Sequence, residues 1–130
     1  MSERALPARP DAIGDARKHL RDRLEDVLDP AKLYEAELLT SELVTNAVRH
    51  ANVDEGAVIR IGIEVAPRTV HVSVVDAGEG FDLSKVVPKP SDDGRGWGLF
   101  LIEKLSNRWG IEGSPSHSVW FEIDRELEAG

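Results

Sequence analysis

The spacing of hydrophobic positions changes from helical to alternating part-way along this chain. Apolar residues recur every three or four positions over residues 11–28 and again from about 32 to 51, which predicts two amphipathic helices. The spacing then becomes alternating over 57–65 and 69–76, with the short link APRT between these two segments. This second pattern predicts a pair of strands joined as a β-hairpin.

The second half of the chain returns to a helix and then to a strand. Helical spacing resumes over 98–109, a short strand is expected near Ile111, and alternation over 118–125 predicts the last strand. The intervening segment 77–98 is rich in Gly, Pro, Ser and Asp, and a loop of this length inside a compact domain is typical of a functional segment. Together these elements predict an α+β fold, a two-layer sandwich of three helices on a mostly antiparallel sheet.

The composition is that of a globular domain with a hydrophobic core. Of the 130 residues, 41% are hydrophobic and 31% are charged, and none is cysteine. The net charge of −8 disfavours nucleic acid and anionic membrane as direct partners. Residues 1–10 lack the apolar run of a signal peptide and are expected to form a flexible leader to a single cytoplasmic domain over 11–130.

Polar side chains line one side of the second predicted helix. Glu42, Asn46 and His50 follow one another at intervals of four residues, so they fall on one side of the helix at the edge of its apolar stripe. Such residues form either a solvated edge or one wall of a pocket between the helix and a loop. In a pocket, a glutamate can act as a general base and an asparagine can offer its oxygen to Mg²⁺.

A second motif, Asp76-Ala-Gly78-Glu-Gly80, follows directly after a predicted strand. One interpretation is a tight turn in which Asp and Gly supply unusual backbone angles. The other is a ligand site, in which the carboxylate of Asp76 accepts a hydrogen bond from an adenine amino group. In that case the glycines allow the backbone to approach the ligand closely.

A glycine-rich turn at 94–99, GRGWGL, leads directly into the third predicted helix. Backbone N–H groups at a helix N-terminus form an anion site together with the helix dipole, and Arg95 adds a positive charge. The segment is therefore either a phosphate site or an ordinary turn. It is not a Walker P-loop, because no Gly-Lys-Ser/Thr follows.

In this order and spacing, the three motifs resemble the N, G1 and G2 boxes of the GHKL ATPase superfamily, which includes gyrase, heat-shock chaperone, histidine kinase and MutL-type ATP sites. The likeness is strongest to stand-alone bacterial anti-sigma factor serine/threonine kinases, through the phrases SELVTNAVRHA, LSNRWG and SVWFEI. It covers roughly residues 35–124. The resemblance implies the ATP-binding (Bergerat) fold of that superfamily.

The resemblance also implies roles for individual residues. Asn46 is expected to bind the Mg²⁺ that bridges the phosphates of ATP, and Glu42 is expected to be the general base that acts on a substrate hydroxyl. Asp76 is expected to recognise adenine, with Gly78 and Gly80 shaping the pocket.

The resemblance also implies which residues bind the rest of the nucleotide and which form the lid of the site. Residues 81–95 are expected to form the ATP lid. Ser118 stands where relatives carry a threonine before the last strand, although the usual preceding glycines are missing. The remaining residues assigned to nucleotide binding are His50, Arg95, Gly96, Trp97, Gly98 and Leu99.

The function that the resemblance implies is an Mg²⁺- and ATP-dependent protein serine/threonine kinase. It would phosphorylate a small anti-sigma factor antagonist and sequester a sigma factor, with a homodimer possible through the helix at 11–28. One alternative is a regulatory ATP-binding module without turnover. A histidine-kinase fragment or a gyrase-type ATPase ranks last, because the first needs a phosphoacceptor helix pair and the second a transducer domain, for which 130 residues leave no room. His19 is followed by Leu20 instead of the acidic residue of a phosphoacceptor and is predicted to lie on the surface.

Overall fold

The computed structural model describes residues 2–50, 57–76, 97–112 and 117–125. Within these ranges the chain forms β1 (Ser2–Pro7), α1 (Asp11–Leu24), α2 (Pro30–His50), β2 (Val58–Val65), β3 (Thr69–Asp76), α3 (Trp97–Leu105), β4 (Arg108–Glu112) and β5 (His117–Asp124). The two long helices, the β2–β3 hairpin, the third helix, the short strand at Ile111 and the last strand confirm the elements predicted from periodicity.

The strands form one sheet in the order β1-β2-β3-β5-β4, and every neighbouring pair is antiparallel. Apolar residues at alternate positions of β2, β3 and β5 face the helices and form the core, where Phe121 is the largest fully buried side chain among the described residues. The core members from these strands are Ile59, Ile61, Ile63, Val70, Val72, Val74, Val119, Phe121 and Ile123. The predicted α+β sandwich is therefore confirmed.

The three helices lie side by side on one face of the sheet. α1 packs on β1, β2 and α2, whereas α2 packs on β2, β3 and β5, and α3 packs on α2 and β4. α2 is thus the central helix, with α1 on one side and α3 on the other. None of the helices in the described ranges is long and apolar enough to cross a membrane.

Local interactions fix the position of α2. Its first residue is Pro30, and the carboxylate of Asp29 accepts a hydrogen bond of 2.8 Å from the backbone N–H of Lys32, so Asp29 caps the helix. Towards α1, the guanidinium of Arg21 donates to Oε1 of Glu37 from Nε at 3.0 Å and from Nη2 at 2.6 Å. At the end of β5, Lys32 Nζ donates to the carbonyl oxygen of Asp124 at 2.7 Å.

The N-terminal segment differs from the expectation of a flexible leader. Residues Ser2–Pro7 form the edge strand β1, which pairs in register with β2 from Ser2 opposite Ile63 to Pro7 opposite Val58. Leu6 is buried in the core, and the backbone N–H of Ala8 donates to the carbonyl of Ala57 at 2.9 Å. The expectation is wrong for these residues because the ladder with β2 and the burial of Leu6 hold them on the sheet.

His19 also differs from its predicted surface position. Its side chain lies on the core side of α1 and is only 8% exposed, with Nε2 3.4 Å from the hydroxyl oxygen of Ser2 in β1. Burial, followed by the positive charges of Arg4 and Arg23, lowers the pKa of His19, and the nearby Asp22 acts in the opposite direction. The neutral imidazole is therefore the form that the fold favours.

This lowered pKa predicts a loss of stability in mild acid. Because the unfolded chain binds the His19 proton more readily than the folded chain, the stability contribution of His19 is present above the ordinary histidine pKa and is lost as the pH falls below it. Urea unfolding between pH 7.5 and 5 measures the effect. As the pH is lowered, the free energy of unfolding of wild type should fall more steeply than that of His19→Asn. The difference between the two slopes should be less than about 1.4 kcal/mol per pH unit, the limit for one proton. Parallel pH profiles for the two proteins would contradict this account.

The face of the sheet that carries no helix is organised around Trp120. The indole lies flat over Gly110 on the neighbouring strand and stacks on the His71 ring, with ring centroids 5.2 Å apart. Glu122 accepts hydrogen bonds from Arg108 at 2.8 Å and joins the His71 ring at 3.1 Å. The hydrogen bond from Arg108, and secondarily that from His71, holds the pKa of Glu122 below its usual range despite desolvation.

Gly110 is required by the position of the indole. A Cβ atom added there would lie 2.7–2.8 Å from three atoms of the Trp120 ring, which is closer than real contacts allow. Gly110→Ala is therefore expected to displace the indole and to lower the free energy of unfolding by about 1–3 kcal/mol. Urea unfolding measures the loss, and Gly14→Ala is the matched control, since no atom lies within 4 Å of its added Cβ. A Gly110→Ala variant as stable as wild type would contradict the packing described.

Candidate functional site

Two polar side chains of the predicted site lie on the side of α2 that faces α3. Glu37 marks the opposite side, because it pairs with Arg21 of α1. Asn46 follows Glu37 by nine residues, which at about 100° per residue places it half a circle away around the helix. Glu42 lies one turn before Asn46 on the same side, so the two are brought together as the spacing predicts.

Both side chains are half-buried, and neither forms a hydrogen bond or an ion pair with any other residue in the described part of the chain. The neighbouring hydroxyls, in contrast, are occupied: Ser41 Oγ donates to the carbonyl of Glu37 at 2.8 Å, and Thr45 Oγ1 to that of Ser41 at 2.6 Å. Partly buried polar groups are usually satisfied by protein, water or ligand. Glu42 and Asn46 are thus available to a bound molecule.

Three other predicted site residues lie at the end of a strand or at the start of a helix. Asp76 is the last residue of β3 and pairs with Ile59 of β2 and His117 of β5, in the middle of the sheet. The helix α3 begins at Trp97, so Gly98 and Leu99 lie in its first turn, where free backbone N–H groups and the helix dipole favour an anion.

Of the other residues predicted to bind the nucleotide, most lie outside the part of the chain that the structure describes. His50 is the last residue of α2. Gly78, Gly80, Arg95, Gly96 and the expected lid over 81–95 lie outside the described residues.

The structure does not bring Ser118 to this side of the sheet. Ser118 pairs with Val75 and Glu112 and alternates along β5 with the buried Val119, so its hydroxyl faces the side of the sheet without helices. Glu42 and Asn46 lie on the opposite side, within the helical layer. The predicted contact between Ser118 and the adenine is therefore corrected, because strand phase puts the hydroxyl on the wrong face.

The donor set on α2 suits a hard cation that is held mainly by phosphate. Mg²⁺ prefers oxygen ligands and is commonly bound by one or two protein groups together with substrate phosphates and water. The amide oxygen of Asn46 and the carboxylate of Glu42 are oxygen donors of this kind. Within the described ranges no three His, Cys, Asp or Glu side chains cluster as a complete protein metal site.

One further polar feature, which the sequence motifs did not indicate, lies on the outward face of α1. Gly14, Arg17, Lys18, Arg21 and Asp22 line an open groove of about 530 Å³ there. The signal that could have found it is the spacing of the basic residues, which recur on the face of α1 opposite the apolar stripe.

The fold and the polar face of α2 together define the class of protein. Three helices on an antiparallel sheet, a central helix carrying unpaired glutamate and asparagine, an aspartate at a strand end and a glycine-containing helix start are features of an ATP-binding domain of the kinase type. The chain belongs to the histidine kinase-like ATPase domain family, whose model matches residues 6–121. This match confirms the resemblance to the GHKL superfamily that the three motifs indicate.

Curated relatives of this chain are named as serine-protein kinases and as an anti-sigma factor. The chain is 32% identical over 127 residues to the serine-protein kinase RsbW of Oceanobacillus iheyensis, covering 84% of this chain and 80% of the relative. It is 27% identical to the anti-sigma F factor of Pasteuria penetrans, with 78% of this chain and 75% of the relative covered. The first of these relationships supports the subgroup of stand-alone anti-sigma kinases.

Solved structures share the fold at low sequence identity. The SiaB-SiaC complex from Pseudomonas aeruginosa contains a chain that matches with a TM-score of 0.64 at 16% identity, over 95% of this chain and 89% of that one. The catalytic domain of the histidine kinase ThkA matches with a TM-score of 0.61 at 18% identity, over 96% and 99% of the two chains. At these identities the similarity establishes the fold alone.

Proposed function

We propose that this protein is a protein serine/threonine kinase that uses Mg²⁺ and ATP and acts as an anti-sigma factor. In this proposal it phosphorylates a small anti-sigma factor antagonist and sequesters a sigma factor, in the cytoplasm where ATP and the transcription machinery are found. The observation that carries the proposal is the pair Glu42 and Asn46, half-buried and without partners among the described residues, on the α3 side of α2. Relatives named as serine-protein kinases favour turnover over a purely regulatory ATP-binding module.

Glu42 is the general base of the proposed reaction. The hydroxyl oxygen of a serine or threonine on the antagonist attacks the γ-phosphorus of ATP, and the bond between that phosphorus and the β–γ bridging oxygen breaks. ADP is the leaving group, and the proton of the hydroxyl passes to the carboxylate of Glu42. An unpaired carboxylate suits this role, because a salt bridge would lower its affinity for the proton.

The remaining groups bind and orient the nucleotide. The amide oxygen of Asn46 would hold Mg²⁺, which when bound would supply positive charge against the phosphates. Asp76 accepts a hydrogen bond from the adenine amino group. The first turn of α3 directs backbone N–H groups at the phosphates, next to Gly96 and Arg95.

Exchange of partners follows from the charge of the product. A phosphate on the antagonist adds negative charge to its docking surface, which meets an acidic protein and lowers the affinity of the complex. Release of the antagonist frees this protein to bind the sigma factor. A homodimer through the apolar stripe of α1 is not supported, because Ala12, Ala16, Leu20 and Leu24 of that stripe are buried in the protein's own core.

The direct test is phosphoryl transfer from radiolabelled ATP. The protein is incubated with Mg²⁺, [γ-³²P]ATP and a candidate anti-sigma factor antagonist from the same organism, and the product is digested to identify the modified residue. Labelled phosphoserine or phosphothreonine on the antagonist is the expected result. Tight nucleotide binding without any labelled product would instead favour the regulatory module.

Asn46→Ala is expected to remove the contribution of Mg²⁺ to nucleotide binding. The affinity for ATP in the presence of Mg²⁺ should fall about tenfold or more, since removal of even an indirect support of a metal ligand has effects of this size. Titration of a fluorescent ATP analogue with Mg²⁺ and with EDTA measures both affinities. The EDTA titration is the control, because it should be similar for the variant and wild type. An unchanged response to Mg²⁺ would show that another group holds the ion.

A further inference from the structure

The N-terminal strand β1 is held on the sheet by few interactions. It is an edge strand that pairs with β2 alone, and Leu6 is the one buried side chain in its six residues. Segments with few buried apolar contacts open locally at a lower free-energy cost than unfolding of the whole domain. β1 is therefore able to leave the sheet while the helices and the other strands stay folded.

The ring of His19 lies beneath this strand. Ser2 and Arg4 pair with core residues of β2, so both side chains lie on the side of the sheet that carries the helices. His19 meets them from α1: it is 8% exposed, and its Nε2 is 3.4 Å from the hydroxyl oxygen of Ser2. Arg21, which meets α2 through Glu37, is about 200° further round α1. His19 therefore faces β1 and not α2.

The surroundings of His19 disfavour a positive charge on its ring. After the larger effect of burial, Arg4 of β1 and Arg23 of α1 lower the pKa of the imidazole, whereas Asp22 of α1 opposes them more weakly. β2 faces the helices with uncharged isoleucines, and the buried carboxylate that α2 turns towards α1 is occupied by its ion pair with that helix. A protonated His19 beneath β1 is thus a buried cation near two others.

We propose that His19 is an acid-sensitive latch for β1: the neutral ring lets the strand close over it, and protonation of the ring releases the strand while the rest of the domain stays folded. In the released state His19 is exposed to water and regains the ordinary proton affinity of a histidine, so protons favour release. The released population rises as the pH falls through about 6.5, the ordinary histidine pKa, and levels off once the closed state also binds the proton.

Release of β1 turns β2 into the edge of the sheet. The backbone N–H and C=O groups of β2 that face β1 then lose their partners, and β2 (VIRIGIEV) is rich in β-branched residues and contains no proline. Such an edge is open to strand addition by an extended segment of another chain. Glu42 and Asn46 lie on the α3 side of α2, away from β1, so the latch does not depend on the proposed kinase function.

Hydrogen exchange of single backbone amides, followed by NMR between pH 7.5 and 5 and corrected for the intrinsic rate, tests the latch. In wild type the opening equilibrium constant of the β1 amides should rise as the pH falls, by up to about tenfold per pH unit, the limit for one proton. It should exceed that of the β3 amides at the centre of the sheet, which report unfolding of the whole domain. In His19→Asn, which cannot take up the proton, the rise should be largely lost.

Arg4→Gln tests the part played by the charge on β1. Without this cation the closed state binds the His19 proton more readily, so the rise in the opening constant between pH 7.5 and 5 should shrink about twofold or more. Because Arg4 is exposed, its substitution leaves the core unchanged. Arg9→Gln is the matched control, since Arg9 is exposed just beyond β1 and is not among the charges that act on His19.

Three results would each overturn the latch. The first is an equal opening constant for β1 and β3 amides at every pH, which would mean that β1 leaves only when the whole domain unfolds. The second is the same pH dependence in wild type and in His19→Asn. The third is an equal effect of Arg4→Gln and Arg9→Gln, which holds the test open even when His19→Asn does not fold.

Discussion

Glu42→Ala is expected to abolish measurable phosphoryl transfer while ATP still binds. Loss of a general base typically slows a reaction by about 10²–10⁴-fold. The side chain of Glu42 has no hydrogen-bond partner among the described residues, so its removal leaves none of their polar groups unpaired. In this variant the rate of antagonist phosphorylation should therefore fall sharply, whereas the affinity for a fluorescent ATP analogue should remain close to that of wild type.

Glu35→Ala provides the matched control for this experiment. Glu35 is also a half-buried glutamate of α2, about two turns before Glu42 and on nearly the same side of the helix. If the effect of Glu42→Ala arose from general loss of negative charge or of helix packing, Glu35→Ala would show it as well. Equal transfer rates for wild type and Glu42→Ala would remove the central role given to this carboxylate.

Among the substitutions proposed for this protein, Phe121→Ala is expected to lower the free energy of unfolding most. Phe121 is completely buried in β5, at the centre of the core between the sheet and the helices. Removal of its ring forfeits burial and leaves a cavity, at a cost of about 3–5 kcal/mol, which is a large part of the stability of a domain of this size. Urea unfolding followed by circular dichroism measures the loss.

Tyr34→Ala is the corresponding control for aromatic truncation. Because the Tyr34 side chain is mostly exposed, its removal should change the free energy of unfolding by no more than about 0.5 kcal/mol. A similar stability for Phe121→Ala and Tyr34→Ala would contradict the position of Phe121 in the core.

The elements that the sequence predicted well are those whose burial follows a regular period. β2, β3 and β5 were predictable because every second side chain faces the helices, so apolar residues alternate along each strand. β1 has only one fully buried side chain, Leu6, among exposed Glu3 and Arg4, and therefore shows no alternation. β1 is a strand because it pairs with β2, and its own sequence lacks the alternation of apolar residues that predicts a strand.

The end of α3 and the position of His19 were mispredicted for different reasons. Helical spacing continues through Trp109, but the helix ends at Leu105, because the backbone of Asn107 donates to the carbonyl of Glu122 and joins β5. His19 was taken as a surface residue because it is polar. Its position three residues after Ala16, on the buried stripe of α1, was the signal that could have corrected this.

The relative position of the two α2 residues assigned to the site was predictable, because helix geometry alone sets it. The four-residue interval places Glu42 and Asn46 on one side of α2, and the structure has them there. Ser118 was assigned through motif resemblance, which carries no information on strand phase, and the pairing of β5 with β3 and β4 puts it on the opposite face. The spacing of residues on one helix thus predicts their relative position in the structure more reliably than a motif near a strand predicts which face of the sheet a side chain occupies.

The pairing of β1 with β2 has a consequence for the order of folding during synthesis. Ser2 pairs with Ile63, so the first strand leaves the ribosome long before its partner, with both long helices translated in between. The α1–α2 pair can form early through Arg21 and Glu37, whereas closure of the first strand has to bridge that whole length and is expected to come late. A nascent chain paused before Val58 therefore exposes the apolar underside of a helical hairpin, which is the kind of surface that chaperones bind.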